Sequence, residues 1–156
     1  MKTLKSVLFI LAIFGLFSTS MACKKHKKKN RKHKTEQVSK QTGDLKQELN
    51  KKWVLKTMQG AEGVVSGLNG DVWMQINTVE NKINGKAPCN SYFGGFSSDY
   101  ASTFKVENVG STKMYCESVM KNEDAFFAHL NKVDAFKIEK GKLLLLTGDE
   151  VVLTFE

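Results

Sequence analysis

Cys89-Asn90-Ser91-Tyr92-Phe93-Gly94-Gly95-Phe96 is the stretch that decides how the folded part of this chain is read. It holds a cysteine, an Asn/Ser pair, three aromatic rings and two adjacent glycines. Glycine tolerates positive φ and lets a neighbouring strand come close, both of which are expensive for a residue with a Cβ. The segment therefore reads as a strand with a kink or bulge. The one cysteine further along the chain that it could pair with is Cys116.

Working outward, the surrounding sequence is a series of short strands divided by turn residues. Trp53 to Met58 alternates in part and stops at Gln59-Gly60. The glycine-rich residues 60 to 71 read as a loop, and Asp71 to Thr78 as a second strand. Asn84-Gly85 has the composition of a tight hairpin turn. Thr103 to Val109 alternates, with Phe104 and Val106 on one face. Ala135 to Glu139 and Leu143 to Leu146 form a hairpin about Lys140-Gly141-Lys142, and Val151 to Phe155 is the last strand. Spacing this close implies antiparallel pairing. One helix interrupts the strands, from about Ser118 to Val133, with Val119, Phe126, Leu130 and Val133 as its apolar stripe. Glu117, Glu123 and Asp124 near its start and Lys132 near its end suit the helix dipole. His129 falls between polar neighbours and reads as a surface residue. The class is α+β.

Charge divides the chain unevenly. The formal net charge is +8, but residues 24 to 34 alone hold Lys24, Lys25, Lys27, Lys28, Lys29, Arg31, Lys32 and Lys34, with no acid. Removing these and the two earlier lysines from the 24 basic residues leaves 14, against 16 acidic ones, so residues 35–156 carry about −2. Residues 23–50 therefore read as a basic, disordered tether, with too few apolar side chains to offset the entropy of ordering. No aromatic residue is interleaved for base stacking, which argues against nucleic acid. The basic run fits either a solvated spacer or a contact with anionic lipid.

Residues 1–22 read as a signal peptide: two lysines, then an apolar run from Val7 to Phe17, too short for the roughly 20 residues of a membrane span. Ser20 and Ala22 suit ordinary signal peptidase, which would release a soluble secreted or periplasmic chain. Ala22-Cys23 also fits a lipobox, with lipid on Cys23, although Ser20 stands where an aliphatic residue is usual. The positive charges directly after the apolar run oppose export, and a cytoplasm-facing anchor is the alternative they leave. Counting favours lipid. Of three cysteines in an exported chain, Cys23 is then the odd one, and Cys89 and Cys116 form an even pair, either a disulfide or two buried thiols.

Catalytic motifs are missing from the sequence: it has no GxSxG, HExxH, phosphate loop or CxxC. A nucleophile–base pair of Cys89 and His129 competes with Cys116 for the same sulfur. A Cys89/Cys116/His129 zinc site lacks a fourth ligand and the usual cysteine spacing, and His26 and His33 are weak ligands among lysines. The expectation is a chain with no enzyme activity, metal or cofactor.

Taken together, Trp53-Val54-Leu55, Cys89 to Phe96, Ser111-Thr112-Lys113-Met114-Tyr115-Cys116, Glu123 to Leu130 and the closing segments from Phe136 to Phe155 resemble the META domain (HslJ-like) family over 51–156. Pro88 and Glu117, beside the two cysteines, depart from the pattern. The resemblance implies an antiparallel, strongly curved or barrel-like sheet with one main helix packed on it. It also implies a bacterial envelope setting, hence an outer-membrane lipoprotein with a binding role in envelope maintenance or stress tolerance. Its partners would be the membrane and an envelope protein or apolar ligand. A carrier reading assigns Trp53, Trp73, Tyr92, Phe93, Phe96 and Phe104 to the lining of a site for an acyl chain or apolar peptide; otherwise these rings are core.

Overall fold

The computed structural model describes residues 40–60, 63–66 and 71–156. In chain order these form α1 (40–49), β1 (Lys52–Gly60), β2 (Gly63–Ser66), β3 (Trp73–Asn77), β4 (Lys82–Lys86), β5 (Ser91–Ser97), β6 (Lys105–Ser111), α2 (Met120–Leu130), β7 (Ala135–Glu139), β8 (Lys142–Thr147) and β9 (Glu150–Phe155). All strand pairs are antiparallel. The sheet runs β6-β5-β4-β3-β1-β9-β8-β7, with β2 paired to the far part of β1. β1 joins the two halves, pairing with β3 through Lys52–Val54 and with β9 through Leu55–Met58.

The ladder does not close into a barrel. Its end strands, β6 and β7, are linked just before β6 by one isolated bridge between Thr103 and Ala135. There Phe104 N–H donates to Asp134 O (3.1 Å) and Phe136 N–H to Ser102 O (2.7 Å). The rings of Phe96 and Phe104 stack at 4.9 Å, and Phe136 meets Phe104 at 6.2 Å, so the junction is also packed. The Asp99 carboxylate holds the turn leading into it, accepting from the backbone of Ala101, Ser102 and Thr103. These donors, Ser102 first, hold its pKa below the usual carboxylate range.

Several sequence expectations are corrected here. Asn84-Gly85 is not a turn; it lies inside β4, with Gly85 opposite Met74 and Tyr92. The turn comes earlier, at residues 78–81, where Asn81 takes φ 54°. Gly85 is required for space: a Cβ there would sit 2.1 Å from Trp73 O and 2.8 Å from the Tyr92 ring. Residues 63–66, expected in a loop, form β2. The expected bulge at Gly94-Gly95 exists, but the extra residue belongs to β6. Phe93 pairs with Gly110 and Gly95 with Glu107, and Asn108 in the shift has φ 52°. Lys140-Gly141 forms the expected two-residue hairpin turn, with φ of 52° and 78°.

Among the described residues there are two helices, where the sequence suggested one main helix and, from Thr42-Gly43-Asp44 into Leu45 and Leu49, a short helical turn before the domain. α1 takes up residues 40–49, within the C-terminal part of the expected tether. Gly43 within it weakens intrinsic helicity by about 1 kcal/mol, so tertiary contacts hold it. Leu49 is fully buried, and its carbonyl accepts from Trp53 Nε1 at 3.1 Å. α2 is shorter than expected and packs against β1 and β9. Glu123, Phe126 and Leu130, spaced i, i+3, i+7, form its buried face.

Glu123 ties α2 to the sheet. Only 3% exposed, its carboxylate accepts from the backbone N–H of Cys89 (2.6 Å) and Asn90 (2.9 Å) and from Asn90 Nδ2. Asn90, also 3% exposed, extends the network to the segment after β6. Its Oδ1 accepts from Thr112 Oγ1 (2.7 Å) and Met114 N–H (2.8 Å), and its Nδ2 donates to Met114 O (3.1 Å). A disulfide joins Cys89 to Cys116 beside this network, with Cα atoms 5.9 Å apart.

Two outcomes follow from these contacts. Glu123→Ala leaves two buried backbone donors and the Asn90 amide without their acceptor, and should lose on the order of 3 kcal/mol in urea unfolding. Glu123→Gln should also destabilise, because its NH₂ group would have to face donors; a neutral result for both substitutions would refute the role. The second outcome concerns Tyr92, whose hydroxyl donates to Trp73 O and whose burial raises the phenol pKa far above its ordinary value of about 10. The neutral folded form is favoured, so this stabilisation is complete below pH 10 and falls as pH rises beyond it. Thermal midpoints of wild type and Tyr92→Phe should therefore converge between pH 9 and about 11; parallel curves would show that Tyr92 does not carry the alkaline loss.

Candidate functional site

The cysteine-bearing motif that opens β5 is built for structure. Cys89 is bonded to Cys116, and the side-chain hydrogen-bonding groups of Asn90 and Glu123 are engaged with one another, with the backbone N–H groups of Cys89 and Asn90, or with the segment 112–114. Glu123, read from the sequence as a dipole-matching residue near the helix start, is instead the acceptor at the centre of this network. Its i, i+3, i+7 relation to Phe126 and Leu130 is the signal that places it on the inward face.

His129 is half-buried and not a free surface residue; its Nε2 lies 2.7 Å from Gln59 O on β1. Among the described residues no three His, Cys, Asp or Glu side chains gather as metal ligands. Cys23 and the cations Lys24, Lys25, Lys27, Lys28, Lys29, Arg31, Lys32 and Lys34, together with His26 and His33, lie outside the described residues.

The six aromatic residues considered as a carrier lining are divided by the strand alternation. Trp53, Tyr92, Phe96 and Phe104 belong to one packed core cluster, where Tyr92 meets Phe126 and Phe127 at 5.5 and 5.8 Å. Trp73 is half-buried on the other face, with Lys52 Nζ 4.4 Å from its ring centroid. Phe93 is 65% exposed. The six therefore do not enclose one interior site.

Phe93 borders an open cleft of about 560 Å³ on the outer face of β3 to β6. The pairing register aligns Gln75, Asn84, Phe93 and Gly110 as one row across four strands. Gly110 lets the ring lie flat: a Cβ there would be 3.0 and 3.2 Å from Phe93 ring carbons. Gly95 lies two residues along the same face and leaves the cleft floor clear beside the ring. Asn84 and Asn108 flank the cleft with no partner for their side chains among the described residues. The nearby charges are matched, Lys82 Nζ lying 3.0 Å from Glu80 Oε2. A second cleft of about 460 Å³ lies between Leu45 of α1 and Phe136, Ile138 and Leu146.

A solution NMR structure of a protein from Burkholderia xenovorans resembles this fold with a TM-score of 0.57 at 20% identity, over 74% of this chain and 86% of that one. A crystal structure of a DUF4847 family protein from Bacteroides vulgatus resembles it with a TM-score of 0.51 at 12% identity, over 69% and 92% of the two chains. At these identities the likeness is one of fold. No curated protein matches the chain. The META domain model matches residues 44–156, starting within α1, whose Leu49 is part of the core. The chain belongs to the META domain family.

Proposed function

We propose that this chain is a bacterial envelope lipoprotein whose META domain acts by binding and not by catalysis. The observation that carries the reading is the internal commitment of the motif. Cys89 is held by Cys116, and Asn90 and Glu123 spend their polar groups on each other and on neighbouring backbone. A nucleophile or general base has to offer a free group to a substrate, and these residues offer none.

Lipid on Cys23 provides the anchor, in the outer membrane, and residues 24–39 separate the lipid from α1. The eight cations there supply the second attachment signal that a lipidated protein needs for firm binding, at about 1 kcal/mol each next to anionic headgroups. The domain is thereby presented to envelope partners in the service of envelope maintenance or stress tolerance.

Intact-mass analysis of the protein extracted from membranes tests the anchor. The expected mass is residues 23–156 plus covalently attached acyl groups; the unmodified mass of 23–156, found in a soluble fraction, would replace the lipoprotein with a secreted or periplasmic protein. A variant with all eight tail cations changed to Gln should bind vesicles containing anionic lipid less tightly at low salt, and the difference should shrink as salt rises. Equal binding at every salt concentration would remove the electrostatic role.

A further inference from the structure

We propose that the outer face of β3 to β6 is a binding site for a neutral oligosaccharide chain, with Phe93 as the stacking platform. This names a ligand class for the binding role proposed above, but it does not depend on the lipid anchor. A chain found to be soluble would leave it open, and a lipidated chain that ignores saccharides would still refute it.

Phe93 is 65% exposed on a strand, in register between Asn84 and Gly110, and Gly110 lets it lie along the sheet with one face outward. A ring held this way loses little freedom when a ligand stacks on it, which favours affinity. Trp73, half-buried on the same face, is covered by Lys52. No cation lies over Phe93 among the described residues.

The carboxamides of Asn84 and Asn108 each combine a donor and an acceptor, matching a sugar hydroxyl, which is both as well. The cleft's charged pair, Lys82 with Glu80, is internally neutralised, which disfavours an ionic ligand. An apolar face with flanking amides and no net charge suits a pyranose, whose axial C–H groups form an apolar face ringed by hydroxyls. The volume of about 560 Å³ is within the usual range for ligand sites, and its open trough admits a chain.

Gly95 shares the outer face with Phe93, and a Cβ there would make only ordinary contacts of 3.7 Å or more. Packing alone would accept alanine at this position, and glycine keeps the trough deep. An extended peptide joining the sheet edge at β6 fits less well, because the bulge at Asn108, with φ 52°, interrupts the edge that it would have to follow.

The test is an amide-detected NMR titration of the full-length chain with chitotetraose and, separately, cellotetraose. Binding of either, with shifts confined to residues 82–84, 93–95 and 108–110, is the expected result. Phe93→Ala should weaken it about tenfold or more, about 1.4 kcal/mol, without changing the thermal midpoint. Asn84→Ala should weaken it less, and Val79→Ala, 81% exposed outside the cleft, should leave it unchanged. The proposal is overturned if neither saccharide shifts these amides at about 10 mM, if Phe93→Ala binds like wild type, or if Phe93→Ala changes only self-association.

Discussion

The buried carboxylate of Glu123 is the constraint on which the rest of this structure depends. Taking a carboxylate out of water is costly unless donors replace the lost hydration. Here the donors come from the one place where the chain reverses between β4 and β5, the backbone of Cys89 and Asn90. Fixing that reversal fixes the start of β5, and Asn90 carries the constraint on to Met114, and so to the exit from β6. Asparagine is the residue this position requires. Aspartate would lack the donor for Met114 O and would face Glu123 with like charge, and the longer glutamine would have to buckle to reach the same partners. The Cys89–Cys116 disulfide closes a loop that the hydrogen bonds already shape. The covalent link therefore acts mainly on the unfolded chain, while Glu123 and Asn90 specify the geometry.

Once β5 is fixed, strand alternation sorts the molecule into an inside and an outside. Tyr92 and Phe96 go inward, and Phe93 and Gly95 outward. The inward set is tightly fitted: Tyr92 occupies the space that Gly85 leaves on β4, and Phe96 stacks on Phe104 where the two end strands meet. Because the ladder is joined there by one bridge and a few ring contacts, those aromatic residues do work that a full strand pairing would do in a closed barrel. They are packed into the core and are not available to line a ligand cavity.

Much of the framework was legible because it follows simple periods. The alternation at the start of β1, the pairing of β7 with β8 about Lys140-Gly141 and the Phe126–Leu130 stripe all follow local rules. What was hidden depends on contacts distant in sequence. Asn84-Gly85 has turn chemistry, yet its glycine answers to a tyrosine on the next strand. β2 consists of residues whose composition says loop, and its partner β1 makes it a strand. α1 has a weak local signal because Gly43 interrupts it, and burial of Leu49 decides the matter. Glu123 reads from the sequence as a carboxylate matched to the helix dipole near the start of α2. Its three donors come from positions 89 and 90, more than 30 residues away, and no local pattern announces them.

The same reasoning separates Phe93 from its neighbours in the motif. An aromatic residue on an outward strand position is often stabilised locally, by a lysine laid over it or by a cross-strand side chain. Trp73 has the former, with Lys52 4.4 Å from the ring centroid. Phe93 has glycine opposite it on β6 and asparagine opposite it on β4. Gly110 supports one face of the ring and nothing from either strand covers the other. Folding alone gives little reason for this arrangement, since a polar residue at 93 would spare the exposed apolar surface without disturbing the inward set. A motif that reads as one unit in sequence is thus divided by strand alternation: Tyr92 and Phe96 build the core, and Phe93 is the member whose physical chemistry points outward.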